Sequence, residues 1–181
     1  KKVINQDPSS KLAYRKLGEA NKAIDDLKNA ASAYEELFKI DPRDIRVAIS
    51  ISDIYLDDGD YRLALKWADK ASSLDNSTGD GFGQKGKVFY FSWENFRQNP
   101  FTIDDRIVAK LAFDYFSKAE KKNFKGFSKK EWLNENAKDI LYGKAQWFMA
   151  ADKVKRSRSI STTSANYDWI NESLKAENNW K

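Results

Sequence analysis

The sequence predicts an all-α protein, a right-handed solenoid of antiparallel helix pairs with a C-terminal capping helix, and three observations carry that expectation. Punctuation recurs, because Asp7-Pro8, Asp41-Pro42 and Asp75-Asn76 are each displaced from the last by 34 residues. Between these marks apolar residues fall at helical spacing, with Tyr14, Leu17 and Ile24 on one stripe and Leu27, Ala30, Ala33, Tyr34 and Leu37 on the next. The composition, 41% hydrophobic and 33% charged with eight Gly and three Pro in 181 residues, suits a helix-rich folded chain. A fixed period of this size marks stacked units, each too small to bury its own apolar face alone.

Two helices fit each period, and the slots within them repeat. In the first full repeat an aromatic, a Leu-Gly pair, a small residue of the second helix, an aromatic four residues on and a closing proline are Tyr14, Leu17-Gly18, Ala30, Tyr34 and Pro42. The second reads Ala48, Ile51-Ser52, Tyr55, Ala64, Ala68 and Asn76, with Gly59-Asp60-Tyr61 at the turn. A third opens with Phe82, Lys85-Gly86 and Phe89 and resumes at Ala112, Phe116 and Ala119. This pattern resembles the tetratricopeptide repeat (TPR) family. Asn21 departs from it, and so does the third repeat: Gly86 to Ala112 is 26 residues where Gly18 to Ala30 is 12, so 14 extra residues enter around Trp93, Phe96 and Phe101.

The resulting layout is a tail of a preceding repeat at 1–8, three helix pairs over 9–127 with an insertion near 92–104, and a closing segment at 128–181. Small residues at Gly18, Ala30, Ala64 and Ala112 let paired helices approach, while aromatics fill the gaps between pairs. Ser128 and Glu131 have the spacing of a capping box, and Leu133, Ala137, Ile140, Leu141, Ala145 and Phe148 form one apolar stripe behind it, the expected capping helix. A basic polar loop then leads to a short terminal helix carrying Tyr167, Ile170 and Leu174.

Composition excludes much chemistry. With no Cys and no His, thiol nucleophiles, thiolate or imidazole metal sites, disulfides and the usual neutral-pH proton shuttle are all unavailable, so no metal or cofactor is expected. No apolar run approaches the roughly 18 residues that a membrane-spanning helix needs. Charge is uneven, because residues 106–160 carry 14 cations and 6 acids, a net +8 on a chain of net +5.

Two local motifs suggest chemistry and fail on context. Gly81-Phe82-Gly83-Gln84-Lys85-Gly86-Lys87 has the glycine spacing of a nucleotide-binding turn, yet Val88 stands where Ser or Thr would hold magnesium, and a helix end precedes it rather than a strand. Asp57-Asp58-Gly59-Asp60 clusters carboxylates without the alternation or closing Glu of a calcium loop, and reads as a turn with a helix N-cap.

The TPR resemblance implies a protein–protein interaction scaffold whose first helices line a concave groove for a peptide or partner protein. Projected from the repeat anchors, Arg15, Glu19, Lys22, Ile49, Asp53, Leu56, Gly83, Lys87 and Tyr90 should face that groove. Family members that clamp a chaperone's terminal carboxylate use Lys, Asn and Arg. The matching slots here hold Arg15, Glu19, Ser50, Asp80 and Gln84, and the acids would repel such a ligand. Trp93 and Phe96 are either core or an aromatic anchor for a partner. The rival readings are nucleic-acid binding through the basic 106–160 segment and an enzyme built on lysines and carboxylates. No local signature marks the latter, so the expectation is a non-enzymatic chain. Trp169-Ile170-Asn171-Glu172-Ser173 resembles the ends of some bacterial envelope TPR proteins and tilts the expected location towards the periplasm or cell envelope over the cytoplasm.

Overall fold

A computed structural model describes residues 7–180. Most of the segment expected as the tail of a preceding repeat, residues 1–6, lies outside the described residues. Six long helices form three antiparallel pairs: α1 (Lys11–Ala23) with α2 (Leu27–Ile40), α3 (Ile45–Asp57) with α4 (Tyr61–Leu74), and α5 (Asp80–Phe96) with α6 (Ile103–Glu120). Each pair stacks on the next, as a right-handed TPR-type solenoid requires.

The turns explain why the helices start and stop where they do. Asp26 and Asp60 cap α2 and α4 by accepting from Asn29 N–H at 3.2 Å and Leu63 N–H at 2.9 Å. Just before them Asp25 (φ 59°) and Gly59 (φ 79°) take the left-handed conformation that ends α1 and α3. Asp57 to Asp60 is therefore turn and cap. Between pairs, Asp44 caps α3 through Arg46 and Val47 N–H.

Close packing uses the small residues. Ala30, Ala48, Ala64, Ala68 and Ala112 are fully buried, and a Cβ on Gly18 would lie 2.4 Å from the Tyr34 ring. Ser52 is also fully buried, and its hydroxyl donates to Ala64 O across the second pair at 2.8 Å. The inserted residues lengthen α5 and α6 to 17 and 18 residues and join them by a short turn, where Asp105 and Thr102 form a capping box.

The closing segment departs from its expected form. The stripe from Leu133 is carried by three short helices, α7 (Lys130–Glu135), α8 (Ala137–Ile140) and α9 (Lys144–Met149), followed by α10 (Asp152–Ser157). Ser128 Oγ accepts from Lys130 N–H at 3.2 Å, a position earlier than the expected capping box with Glu131. Helical register is lost at Leu141 to Gly143: Leu141 is extended, Tyr142 N–H donates to Arg106 O at 3.0 Å, and Gly143 is extended as well. Leu133, Ile140 and Leu141 are buried as expected, but Trp147 takes the next core position and Phe148 is 79% exposed.

The short terminal helix expected after the basic loop does not form. Instead β1 (Ser159–Ile160) pairs antiparallel with β2 (Leu174–Lys175), and a single 3₁₀ turn at Ala165–Tyr167 lies between them. Tyr167, Ile170 and Leu174 still face the core, in company with Trp169 and Trp180. An apolar spacing of three and four residues fits an irregular segment pinned at intervals as well as it fits a helix, and the pins here lie on distant elements.

Candidate functional site: an inner groove with a closed end

The nine groove residues lie on α1, α3 and α5 in three rows set by the 34-residue period: Arg15–Ile49–Gly83, Glu19–Asp53–Lys87 and Lys22–Leu56–Tyr90. Six keep solvent access, namely Arg15, Glu19, Lys22, Ile49, Asp53 and Lys87. Their charges are paired along the surface. Lys87 meets Asp53 at 2.8 Å, Lys22 meets Asp57 at 2.8 Å, Arg15 reaches Asp44 at 3.5 Å, and Glu19 holds Lys16 at 2.7 Å. The hydrogen bond to Asp57, opposed by partial burial and reinforced by the charges of Asp57 and Asp53, holds the Lys22 ammonium above the ordinary lysine range.

Gln84 organises the middle of this surface. It is buried, and its amide donates to Ser52 Oγ at 3.0 Å and to Asp53 Oδ1 at 2.7 Å, so Asp53 is fixed by two donors on α5. An oriented carboxylate between Lys22 and Lys87 is suited to an N–H or cationic group of a ligand, and the flanking lysines to a carboxylate.

The remaining three, Leu56, Gly83 and Tyr90, are buried, so on α5 the groove keeps only Lys87. Two aromatics that the sequence reading did not single out close the rest of it. Asn123, at φ 61°, ends α6 in a left-handed residue, with Asn123 N–H bonded to Glu120 O and Phe124 N–H to Ala119 O. That reversal lays Phe124 over α5. A Cβ on Gly79, Gly83 or Gly126 would lie 2.4–2.6 Å from Phe124 atoms or the neighbouring Ala119 carbonyl. Phe127 and Trp132 then stand over Tyr90, with ring centroids 6.0 and 6.5 Å away. The signal was legible only as an oddity, two aromatics in the lysine-rich run from Lys121 to Lys130.

The glycine run is thus explained by packing. A Cβ on Gly81 would meet the Ser72 backbone at 2.4 Å, one on Gly83 the Phe124 ring at 2.4 Å, and one on Gly86 the Phe116 ring at 2.6 Å. Each faces a different neighbour.

The candidate anchors are core. Trp93 is fully buried, against Phe101 at 5.7 Å and Trp132 at 6.1 Å, and Phe96 is half-buried between Tyr61 and Tyr167. Trp93 presents no free aromatic face to a partner, and Phe96 keeps only partial access.

A second cluster, also missed, ties the tail to the solenoid. Three cations on successive helices pair with three acids of the tail: Arg62 with Asp168 at 3.0 Å, Lys85 with Glu172 at 3.0 Å and Lys110 with Glu177 at 2.8 Å. Lys85 also holds Asp69 at 2.6 Å and donates to Tyr115 Oη at 2.8 Å, while Tyr115 donates to Glu172. Burial pulls the Lys85 ammonium down, but hydrogen bonds to Asp69 and Tyr115 and the charge of Glu172 outweigh it and hold it above the usual lysine range. Burial and the bond to Glu172 push Tyr115 up to about 12. The signal for this cluster was Lys85 itself, a cation in the slot where the earlier repeats place Leu17 and Ile51.

The arrangement defines an α-helical repeat solenoid with a polar inner surface open over its first two pairs and a sealed far end. Residues 12–44 and 45–78 each match the tetratricopeptide repeat family, which identifies the first two helix pairs as tetratricopeptide repeats. The stretched third pair lies beyond the matched segments.

Solved structures similar to this chain share that fold. A MamA crystal structure aligns over 66% of this chain and 62% of its own at 20% identity and TM-score 0.53. The first TPR of Spaghetti (RPAP3), bound to the HSP90 peptide SRMEEVD, aligns over 77% and 96% at 14% identity and TM-score 0.52. The TPR2B domain of yeast Sti1, in complex with pHsp70, aligns over 70% and 84% at 17% identity and TM-score 0.50. The chain spans 54–62% of the length of the MamA structures it matches. No curated protein sequence matches it.

Proposed function

We propose that the chain is a protein-interaction scaffold that holds an extended peptide or partner helix against α1, α3 and the near side of α5. The observation that carries this reading is the solvent-accessible charged set of Lys22, Asp53 and Lys87, contributed by three successive first helices, with Asp53 oriented from beneath by Gln84. The Spaghetti (RPAP3) TPR bound to an HSP90 peptide and the Sti1 TPR2B domain in complex with pHsp70 share this fold, which supports a ligand along this surface. Binding, not catalysis, is the work assigned to it: Lys87 is paired with Asp53 and Lys22 with Asp57.

Phe124 limits the ligand's path. A peptide entering along α1 and α3 meets the aromatic plug at Gly83, so the groove takes a short segment over two pairs rather than one spanning three. Carboxylate clamping of the chaperone type is disfavoured here. Arg15 is engaged with Asp44, and Gln84 is buried under Asp53.

Selection from a displayed peptide library, followed by fluorescence polarisation on the enriched peptides, tests the assignment. Asp53→Lys should weaken selected peptides at least tenfold, the scale of one charge-assisted hydrogen bond of about 1.5–3 kcal/mol, and the helical circular dichroism should be unchanged. Peptides that bind the variant as tightly as the parent would remove this surface from consideration.

A further inference from the structure

The register break in the closing segment leaves two large apolar side chains in solvent. Phe148 and Met149 are adjacent at the end of α9, 79% and 75% exposed, and are the two most exposed large hydrophobics of the chain's described residues. Ala150 and Ala151, both extended, link them to α10, and Ala151 is exposed as well. Neither side chain is needed for packing, because Trp147 fills the core position of that turn.

The chain on either side of this tip is mostly basic. Between Leu141 and Tyr167 the chain carries five cations, Lys144, Lys153, Lys155, Arg156 and Arg158, against one carboxylate, Asp152. Lys85 and Lys110 on the solenoid are tied into ion pairs, whereas none of these five forms one among the described residues. Lys144 lies one turn before Phe148 on the same face of α9, and Lys155 Nζ stands 5.6 Å from the Phe148 ring centre. An apolar tip flanked by cations that form no ion pair is the pattern that binds an interface with hydrocarbon below and phosphate above.

We propose that Phe148 and Met149 dock this protein on an anionic lipid bilayer, the two side chains entering the headgroup–acyl boundary while Lys144, Lys153 and Arg156 hold lipid phosphates. The charge complementarity names this occupant. Single-stranded nucleic acid would use successive aromatic faces as stacking platforms, and this tip offers one ring, already covered by Lys155, beside a thioether with no π-face. Two inserted side chains give weak, reversible attachment, independent of the peptide groove on the first two pairs.

Vesicle sedimentation with the full chain decides it. Phosphatidylcholine vesicles containing 30% phosphatidylglycerol should bind the protein at 0.1 M salt, and pure phosphatidylcholine should not. Phe148→Ser with Met149→Ser should lower partitioning at least tenfold, on the scale of about 0.8 kcal/mol per buried methylene, while the thermal melt stays in place because both positions are exposed. Lys153→Gln with Arg156→Gln should lower it on the order of thirtyfold, about fivefold per cation. Met149→Trp should show a blue-shifted tryptophan emission on adding anionic vesicles. The proposal is overturned by absence of binding to anionic vesicles, by binding that the Phe148/Met149 variant leaves intact, by an unshifted Met149→Trp emission, or by salt-sensitive capture of single-stranded RNA with no vesicle binding.

Discussion

Gly83→Ala probes whether Phe124 occupies the inner face of α5, and the structure fixes both the sign and its dependence on a second residue. An added Cβ would lie 2.4 Å from the far end of the Phe124 ring, closer than unbonded carbons approach, so the ring must move. Overpacking of this kind costs about 1–3 kcal/mol. It is offset by the helical preference of alanine over glycine, up to about 1 kcal/mol and less near the first turn. The net expectation in the parent protein is a loss of about 1–2 kcal/mol.

Removing the ring reverses the sign. In a Phe124→Ala background the obstacle is gone, so Gly83→Ala should become neutral or stabilising by up to about 1 kcal/mol, a coupling of about 1–3 kcal/mol in the double-mutant cycle. Gly81→Ala is the control: its Cβ would meet the Ser72 backbone at 2.4 Å, which cannot rotate aside, so its penalty should persist in both backgrounds. Urea unfolding followed by far-ultraviolet circular dichroism on the four proteins measures the cycle. Additive effects of Gly83→Ala and Phe124→Ala, within about 0.3 kcal/mol, would show that Phe124 does not rest on α5.

The other expectations concern the core and the strapped tail. Trp93→Ala should destabilise by about 3–5 kcal/mol, because the indole is fully buried. A folded variant of near-parent stability would return Trp93 to the role of surface anchor. Glu172→Gln should cost about 1–3 kcal/mol, since it leaves Lys85, only 10% exposed at its side chain, with Asp69 as its one carboxylate. Asp168→Asn should cost less than about 1 kcal/mol, because both members of the Arg62 pair are more than half exposed; equal losses for the two variants would contradict the assigned burial. Tyr55 and Tyr115 are pushed up to about 12 by burial and by bonds to Glu35 and Glu172. Raised folded values favour the neutral phenol in the native state, so stability should be unchanged up to about pH 10, the unfolded value, and fall as pH rises towards 12. Spectrophotometric titration should show a late-titrating group of tyrosines, and titration of all eight together near pH 10 in folded protein would refute the bonding described.

What the residue pattern revealed, and what it hid, divides by the range of the determining interactions. Helix pairs came through because Gly18, Ala30, Ser52 and Ala64 pack against partners within one period, so their identity repeats. The groove rows followed from the same period, and the open ones keep their exposure. The expectation failed at Gly83 and Tyr90 on α5 because their cover, Phe124 and Phe127, comes from beyond α6 and has no counterpart in earlier repeats. The single capping helix failed at Tyr142, where a backbone bond to Arg106, 36 residues earlier, outweighs the local helical pattern. The terminal helix failed for the same reason, with Asp104 accepting from Thr163 and Ser164 N–H at 2.8 and 2.6 Å and Asp105 from Tyr167 Oη at 2.8 Å.

Distant contacts also hold the run from Trp169 to Ser173. Trp169 lies against Tyr61 of α4 and Phe89 of α5, Ile170 is buried, and Glu172 joins Lys85 of α5 to Tyr115 of α6. Five residues thus bridge three successive helices, which a regular helix, holding its side chains to fixed faces, could not do over so short a run. The stretched third pair supplies the matching half of the contact: Asp104 and Asp105 stand in the first turn of α6, and Phe96 ends α5 against Tyr167. Without that added length the tail would lose its bonds to Asp104 and Asp105 and its contact with Phe96. Insertion and tail are therefore one device, a seal on the apolar faces of α5 and α6, and disrupting either should expose the same surface.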